Sequence, residues 1–471
     1  MKNNSGIESV AIKKLFTNRN VSLNLSDGVR IIVGENGLGK TTILNILNEI
    51  LNGNVENIVD FPLDAVEVKF SGLDSPFIFS RSRMQEFLKM RRNILVDLDG
   101  DGVDSFISLL IKVLPGLPEP LGRLEIDRIV TDILAGNPSV KAQMEAYNVS
   151  PERYLTDWIV GFTDVFSFKA QIKSRELDIV FLPTYRRIEA DLKKIVPPSK
   201  TMRQSARKGY PVDSVALTPS MLEDRIFTQK SPMKFGMKDI SSRIGVLLDN
   251  ISSESIKGYN EVSTRMIARL LDPDKDALDT AGINPGQIEI VLERLRPNMP
   301  EKEYTQLKKA VRQGDLSANK DLAYYLISLS DVYERTKEFD DKLTAFRDTV
   351  NTFLYDKEFR YDKNHVRFEL FFRDDNQDSN PIPIQKLSSG EKQLVALFAM
   401  AYLSVGGNLV FIIDEPELSL SLTWQKLLLP SLRNAPNTAM IIAATHSPFI
   451  FDNDLKQFTI GGVEYVSPVT D

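Results

Sequence analysis

Residues 34–42 read Gly34-Glu35-Asn36-Gly37-Leu38-Gly39-Lys40-Thr41-Thr42, and this stretch decides the fold. It follows a short apolar run that ends at Val33, and it precedes a segment with helical spacing that reaches Leu51. Such a strand, loop and helix context is typical of a phosphate loop. The glycines let backbone N–H groups surround a phosphate, and the helix directs the positive end of its dipole at that anion.

The residue types of this loop predict a nucleotide site with a bound magnesium ion. We expect Lys40 to reach the β- and γ-phosphates, and the Thr41 hydroxyl to coordinate Mg²⁺. The remaining expected nucleotide-binding residues of the loop are Asn36, Gly37, Gly39 and Thr42. A glycine turn that binds nothing is the alternative, and the complete match in its context disfavours it.

A second candidate segment lies near the other end of the chain. Residues 409–415 form an apolar run that ends in the carboxylates Asp414 and Glu415, as at the end of a buried strand. Open α/β sheets bind ligands at that end of their strands. We expect Asp414 to hold Mg²⁺ through its water shell, and Glu415 to act as the catalytic base that deprotonates the attacking water.

The composition excludes several other kinds of site. The chain has 471 residues, a net charge of -6, no Cys and only two His, His365 and His446. Disulfide frameworks, thiolate metal sites and iron–sulfur clusters are therefore excluded, and histidine-based metal sites are disfavoured. The first residues lack the apolar core of a signal peptide, so we expect a cytoplasmic protein. Leu394–Ile413 is uncharged and long enough to span a membrane, but Gly406 and Gly407 interrupt it, which favours a buried helix, a turn and a buried strand.

The two ends of the chain have α/β patterning and the middle is mostly helical. We predict an α/β fold in which residues 1–84 and 360–471 form an ATPase core with a mixed sheet. A buried strand within 178–187 is expected to join that sheet. Residues 85–175 and 190–355 are predicted to form a mainly helical insertion, although 197–298 reads as rich in loops.

Two further stretches resemble motifs of ABC-type ATPases. Residues 387–393, Leu-Ser-Ser-Gly-Glu-Lys-Gln, are similar to the signature motif, and residues 414–418 with 444–448 are similar to the Walker B, D-loop and switch-histidine segments. The resemblance implies ATP and Mg²⁺ as ligands and a homo-oligomer in which two protomers enclose ATP. It also implies that Ser388, Gly390 and Glu391 complete the partner's phosphate loop, and that His446 is catalytic.

The sequence departs from the family in several places. Ser389 replaces a second glycine, and Glu391 stands where transporters have Gln. The usual Gln between the loop and the signature has only Gln85 and Gln171 as candidates. A plain helix cap at the start of the signature helix and a core role for His446 are the alternative interpretations.

The long insertion and the Glu-Pro-Glu-Leu motif at 415–418 resemble the SMC, RecF and OLD branch rather than transporter ATPases. Within it, the chain is similar to stand-alone OLD-like ATPases of bacterial anti-phage systems, first of the PARIS kind and then of the Septu kind. This implies a sensor and scaffold that holds a separate Toprim nuclease and releases it when a phage trigger binds. The alternative is a DNA-binding RecF- or SMC-like ATPase in repair or chromosome maintenance.

We expect no nuclease activity in the chain itself, because few residues follow His446. Asp64 with residues 67–69 only faintly resembles a PD-ExK nuclease site, and we interpret it as part of an edge strand. Asp97 to Ser108 begins like a calcium loop but lacks the Glu that such a loop needs at its last position, which favours a polar turn.

Residues 186–208 hold eight basic residues and two acidic ones in a chain that is acidic as a whole. The segment is either a solvated loop or a surface for a polyanion, such as DNA or an acidic phage trigger protein. We place trigger recognition there.

Overall fold

The computed structural model describes residues 5–35, 37–95, 123–136, 150–183, 237–271, 285–313, 320–373, 380–404, 407–418 and 420–468. These residues fall into two units. The first unit holds the described residues up to 183 and from 407 onward, and the second holds those from 237 to 404.

The elements are numbered in chain order. The strands are β1 Ile7–Leu15, β2 Arg19–Asn24, β3 Val29–Val33, β4 Ala65–Phe70, β5 Phe77–Ser80, β6 Leu177–Leu182, β7 Lys357–Asp362, β8 Arg367–Phe372, β9 Asn408–Asp414, β10 Thr438–Thr445, β11 Thr459–Gly461 and β12 Val466–Pro468. The α-helices are α1 Lys40–Leu51, α2 Arg81–Leu95, α3 Arg123–Gly136, α4 Pro151–Gly161, α5 Thr163–Ser174, α6 Met237–Leu271, α7 Pro285–Leu295, α8 Glu301–Gln313, α9 Lys320–Asn351, α10 Ser389–Leu403, α11 Leu422–Arg433, α12 Pro448–Phe451 and α13 Gly462–Tyr465.

A parallel sheet in the first unit has the strand order β11-β3-β10-β9-β6. Strands β9 and β10 are apolar and buried along almost their whole length, as is typical of a parallel sheet covered on both faces. Val33 of β3 is aligned with Thr445 of β10, and Asp414 of β9 is aligned with Ala444. The carboxyl ends of these three strands therefore lie side by side, and the segments that follow the strands come together there.

Strand β6 joins this sheet beside β9, as the sequence predicted. It lies at the edge of the described strands and buries only Val180, so the expectation of a buried strand is wrong. Edge and central strands of a parallel sheet can have the same apolar run, and the sequence does not tell them apart. The strand ends at Leu182, and residues 184–187 lie outside the described residues.

A second, antiparallel sheet has the order β12-β2-β1-β4-β5. Strand β4 lies between β1 and β5, so the interpretation of its residues as an edge strand is wrong. One hydrophobic core contains residues of both sheets together with α1. The α/β class is thereby confirmed, but the predicted mixed sheet is wrong: the phosphate loop follows a strand of a parallel sheet, and the antiparallel strands form a separate sheet.

Helices α2, α4 and α5 pack on this same core, although the sequence assigned residues 85–175 to the insertion. Phe168 of α5 lies 5.1 Å from Phe79 of β5 between ring centroids, and Trp158 of α4 lies 5.0 Å from Phe166. An apolar helix face must be buried, but its spacing does not reveal which element covers it. These helices therefore belong to the first unit.

The second unit is built on the helices α6 and α9, which run antiparallel. Arg269 pairs with Asp321, and Arg335 with Glu261, so the start of one helix lies at the end of the other. Helix α6 has 35 residues, so the loop-rich prediction for 197–298 is wrong over that range. Its many Ser and Asn residues are poor helix formers, and packing against α9 supplies the stability that propensity does not.

Helix α10 and the hairpin β7-β8 also belong to the second unit, whereas the sequence placed residues from 360 onward in the ATPase core. Helix α10 packs on α6 and α9. Phe398 lies 4.8 Å from Phe353 between ring centroids, and Arg243 donates a hydrogen bond of 3.0 Å to Ser404. These contacts explain the grouping, because they join α10 to the long helices that precede it.

The uncharged stretch Leu394–Ile413 contains the end of α10 and most of β9, which confirms the predicted helix and strand. Among the described residues, no helix combines the length and the apolar character needed to span a membrane.

Candidate nucleotide-binding site

The phosphate loop connects β3 to α1 at the common edge of the parallel sheet. Gly37 and Gly39 have φ angles of 88° and 83°, which residues with a side chain rarely adopt. A Cβ at Gly39 would lie 2.7 Å from the Phe16 ring, so this position also has no room for one. Helix α1 starts at Lys40, and its first N–H groups lack intrahelical partners, as an anion site requires. Asn36 lies outside the described residues.

The Lys40 side chain connects the phosphate loop to the segment that follows β10. Its Nζ donates to the carbonyl oxygens of Gly34 at 2.7 Å and Glu35 at 3.2 Å, and it lies 2.7 Å from Nε2 of His446. The side chain is almost entirely buried. The Lys40 ammonium is thus placed inside the loop, where a phosphate would compete for it.

Burial lowers the pKa of Lys40, because removal from water disfavours the charged ammonium. The carboxylates of Asp414, Glu415 and Glu417 act in the opposite direction. A cation held among carboxylates and carbonyl oxygens is suited to bind an anionic phosphate.

Thr41 connects the loop to the neighbouring end of β9. Its Oγ1 donates a hydrogen bond of 2.8 Å to Oδ2 of Asp414. A hydroxyl and a carboxylate at this distance are hard oxygen ligands of the kind that Mg²⁺ prefers when phosphates complete its shell. Among the described residues, no group of three or more His, Asp or Glu could hold a metal alone. Thr42 lies in the first turn of α1.

Glu415 follows β9 in an unusual backbone conformation. Its φ of 51° lies in the left-handed region, and its N–H donates a hydrogen bond of 2.8 Å to the Ala444 carbonyl. Such strain in a residue other than glycine costs about 1–3 kcal/mol and is concentrated at functional sites. The backbone that carries the expected base is therefore tied to β10, which leads to His446.

The structure thus brings together Lys40, Thr41, Asp414, Glu415 and His446 in the first unit. Two residues that contact the site were not predicted from the sequence. Arg19, at the start of β2, donates a hydrogen bond of 3.0 Å to the Gly37 carbonyl. Glu417 binds the segment around His446, and only its position in the Glu-Pro-Glu-Leu motif could have indicated it.

The signature residues belong to the second unit. Ser388 caps α10: its Oγ accepts from the Glu391 N–H at 3.3 Å, and the Glu391 carboxylate accepts from the Ser388 N–H at 2.6 Å. Glu391 also pairs with Lys357 at 3.3 Å. The capping role that the sequence left as an alternative is therefore present, and Gly390 lies in the first turn of this helix.

The remaining candidate residues of the sequence have other surroundings. Gln171 of α5 accepts a hydrogen bond from Arg175, the residue that follows this helix, and Gln85 is exposed. Asp64 pairs with Lys14, and Glu67 with Lys13, as ordinary surface ion pairs. The basic segment 186–208 and the loop from Asp97 to Ser108 lie outside the described residues.

Two solved structures are among those similar to this chain. The Smc head domain of Pyrococcus furiosus, with an extended coiled coil and bound to the C-terminal domain of ScpA, has 15% identity and a TM-score of 0.33; the alignment covers 98% of this chain and 96% of that one. The Smc head domain of Pyrococcus yayanosii, with a coiled coil and joint, has 15% identity and a TM-score of 0.29, with 98% and 97% covered.

Two family models match different parts of the chain. Residues 9–86 match a model described as "AAA domain", and residues 266–452 match one described as "AAA domain, putative AbiEii toxin, Type IV TA system". No curated protein matches the chain. The first match contains the phosphate loop, and the second contains Asp414 and His446. The parts of the chain that build the site thus match models of AAA domains.

Proposed function

We propose that the protein binds and hydrolyses ATP with the residues gathered at the end of the parallel sheet. The observation that carries this proposal is the hydrogen bond between Thr41 and Asp414, because it places the hydroxyl of the phosphate loop beside the carboxylate that ends β9, and these two oxygen ligands would suit a nucleotide-bound magnesium ion. The buried ammonium of Lys40 in the same loop supports it.

In the proposed reaction, Lys40 moves from the loop carbonyls to the β- and γ-phosphates of ATP. Thr41 and Asp414 would hold magnesium, which when bound neutralises phosphate charge. Glu415 accepts a proton from the attacking water, and His446 contacts the γ-phosphate. Asn36, Gly37, Gly39 and Thr42 complete the phosphate contacts through the loop and the first turn of α1.

The proposed assembly is a homo-oligomer in which two protomers enclose ATP. Ser388, Gly390 and Glu391 at the start of α10 would face the γ-phosphate bound by the partner, where a helix N-terminus offers N–H groups to an anion. The capping box at Ser388 and Glu391 supports this by holding that helix start in one conformation.

The proposed biological role is a cytoplasmic sensor and scaffold in anti-phage defence, most similar to AriA of PARIS and next to PtuA of Septu. In that role the chain would hold a separate Toprim nuclease of the AriB kind, release it when a phage trigger binds, and have no nuclease activity of its own. The basic segment 186–208 is the proposed trigger surface.

Two measurements test the proposal. Steady-state hydrolysis of ATP by the purified chain, compared with Glu415→Gln, tests the catalytic assignment. Capture of the tagged protein from phage-challenged cells tests the role, because a co-purified nuclease and phage protein support defence. Tight, ATP-dependent DNA binding without any such partner would favour the alternative, a RecF- or SMC-like ATPase that acts on DNA.

A further inference from the structure

The segment that carries His446 is held by one carboxylate. Oε2 of Glu417 accepts a hydrogen bond of 2.7 Å from Thr445 Oγ1, and Oε1 accepts from the backbone N–H groups of His446 at 2.8 Å and Ser447 at 3.2 Å. Three donors from three consecutive residues thus converge on Glu417. Hydrogen bonds to a charged acceptor are about twice as strong as neutral ones, so this contact fixes the backbone on both sides of the histidine.

A second side chain, on α11, also binds the segment that carries His446. Gln425 is buried, its Nε2 donates to the Leu420 carbonyl at 3.0 Å, and its Oε1 accepts from Ser447 Oγ at 2.7 Å. The turn that follows Glu415 and the segment that follows β10 are therefore joined by two side chains, Glu417 and Gln425. Neither segment can shift alone without breaking several hydrogen bonds.

The His446 backbone binds Glu417, whereas its imidazole contacts a different residue. His446 Nε2 is 2.7 Å from Lys40 Nζ, within the phosphate loop. With its backbone fixed, the ring position depends only on its own side-chain rotations. A misplacement of about 1 Å in a reacting group can cost on the order of 10²-fold in rate. A residue that fixes the histidine backbone is thus able to control turnover without contacting nucleotide.

We propose that Glu417 is a positioning residue that acts on ATP hydrolysis through His446. This inference rests on the proposed ATPase activity. The carboxylate receives hydrogen bonds from Thr445, His446 and Ser447, and its role is to hold the imidazole beside Lys40.

Steady-state ATPase kinetics in a double-mutant cycle test this role. Glu417→Ala should lower kcat by about 10²-fold with the KM for ATP nearly unchanged, because the side chains of Lys40 and Thr41, which are proposed to hold the nucleotide, are both retained. If Glu417 acts through His446, adding Glu417→Ala to His446→Ala should cause no further loss. Glu417→Gln keeps a carbonyl acceptor and an amide that can donate to Thr445, and it should retain most of the wild-type kcat. The matched control is Glu49→Ala. It removes a carboxylate on α1 that accepts a hydrogen bond from Asn57, and it should leave kcat unchanged.

A second readout does not depend on hydrolysis. The chain has only two histidines, so the ring signals of His446 can be assigned in a histidine-labelled NMR sample by comparison with His446→Ala. Glu417→Ala should shift or broaden the His446 signals, whereas Glu417→Gln should preserve them. The signals of His365, which binds Asp362 in the other unit, serve as the internal reference.

The outcomes separate the two proposals. A wild-type chain that does not hydrolyse ATP contradicts the proposed function, and the His446 signals then decide the positioning role by themselves. A double variant much slower than His446→Ala, or unchanged His446 signals in Glu417→Ala, overturns the role of Glu417 even if ATP is hydrolysed normally.

Discussion

Lys40 shows how a single residue combines structure and chemistry at this site. Its ammonium donates hydrogen bonds to the carbonyl oxygens of Gly34 and Glu35, and these bonds stabilise the shape of the loop. Its burial makes every charge interaction stronger than in water, because the effective dielectric constant is lower there. The same group therefore stabilises the loop and is suited to bind an anionic ligand.

We predict that Lys40→Ala abolishes ATP binding, because the loop loses its side-chain cation for the β- and γ-phosphates. Titration calorimetry checks this directly. Lys456→Ala removes an exposed lysine that pairs with Asp452 and should bind ATP as the wild type does. An affinity of Lys40→Ala close to the wild-type value would refute the assignment of the phosphate loop.

We predict that Glu415→Gln binds ATP but hydrolyses it about 10² to 10⁴ times more slowly, the loss expected when a general base is removed. The amide keeps the size of the side chain, so the strained backbone at this position is retained. Binding is measured by calorimetry and turnover by phosphate release, and size-exclusion chromatography should detect an ATP-trapped oligomer. Turnover at the wild-type rate would mean that another residue is the base.

The place of a residue at the candidate site was predictable where a short local motif contains that residue. The phosphate loop and Asp414 are of that kind, because the chemistry of each follows from neighbouring letters. Glu417 and Arg19 are not, since their roles depend on contacts with His446 and Gly37, which lie elsewhere in the sequence. A sequence without a fold cannot state which distant backbone groups a carboxylate or a guanidinium will reach.

Among the elements, β3, α1, β9 and β10 were predictable because their apolar patterns are regular and are bounded by polar residues, glycines or prolines. Helix α6 was not, because its sequence is rich in polar residues and its stability comes from α9. A buried ion pair joins α9 to α7 in the same unit. Arg294 contacts both carboxylate oxygens of Asp340, at 3.0 and 2.8 Å, and Asp340 is fully buried.

We predict that Asp340→Ala lowers the free energy of unfolding by about 3–5 kcal/mol, because it leaves the Arg294 charge buried and unpaired. It also removes the acceptor of the Tyr361 hydroxyl. Urea unfolding followed by circular dichroism measures the change. Asp341→Ala, an exposed neighbour on the same helix, is the matched control and should cost less than about 0.5 kcal/mol. Equal effects of the two substitutions would show that the pair contributes little.

For the whole molecule, the sequence identified two kinds of structure but not the boundary between them. It predicted an α/β core at the two ends of the chain and helices in the middle. It did not predict that α4 and α5 join the first unit while α10 joins the second. A helix belongs to the unit against which its apolar face packs. The spacing of apolar residues shows that such a face exists, but not which unit covers it.

The last prediction concerns the basic segment 186–208, whose residues lie outside those described. If it captures DNA or an acidic trigger protein, binding should be steered by long-range charge and should weaken steeply as salt is raised. We predict that charge reversal to Glu abolishes this binding and leaves ATP hydrolysis intact, because no nucleotide motif is touched. The reversed residues are Lys193, Lys194, Arg203 and Arg207.

A control with the same change in net charge tells a local surface from a general electrostatic effect. It reverses four exposed lysines of the described units: Lys257, Lys302, Lys309 and Lys456. If recognition is confined to 186–208, this control should bind DNA or the trigger nearly as the wild type does, whereas a general effect of net charge should weaken binding equally in both variants. Binding by fluorescence anisotropy at low and high salt compares the three proteins. If the variant at 186–208 binds as tightly as the control at both salt concentrations, the segment is a solvated loop and the recognition surface lies elsewhere.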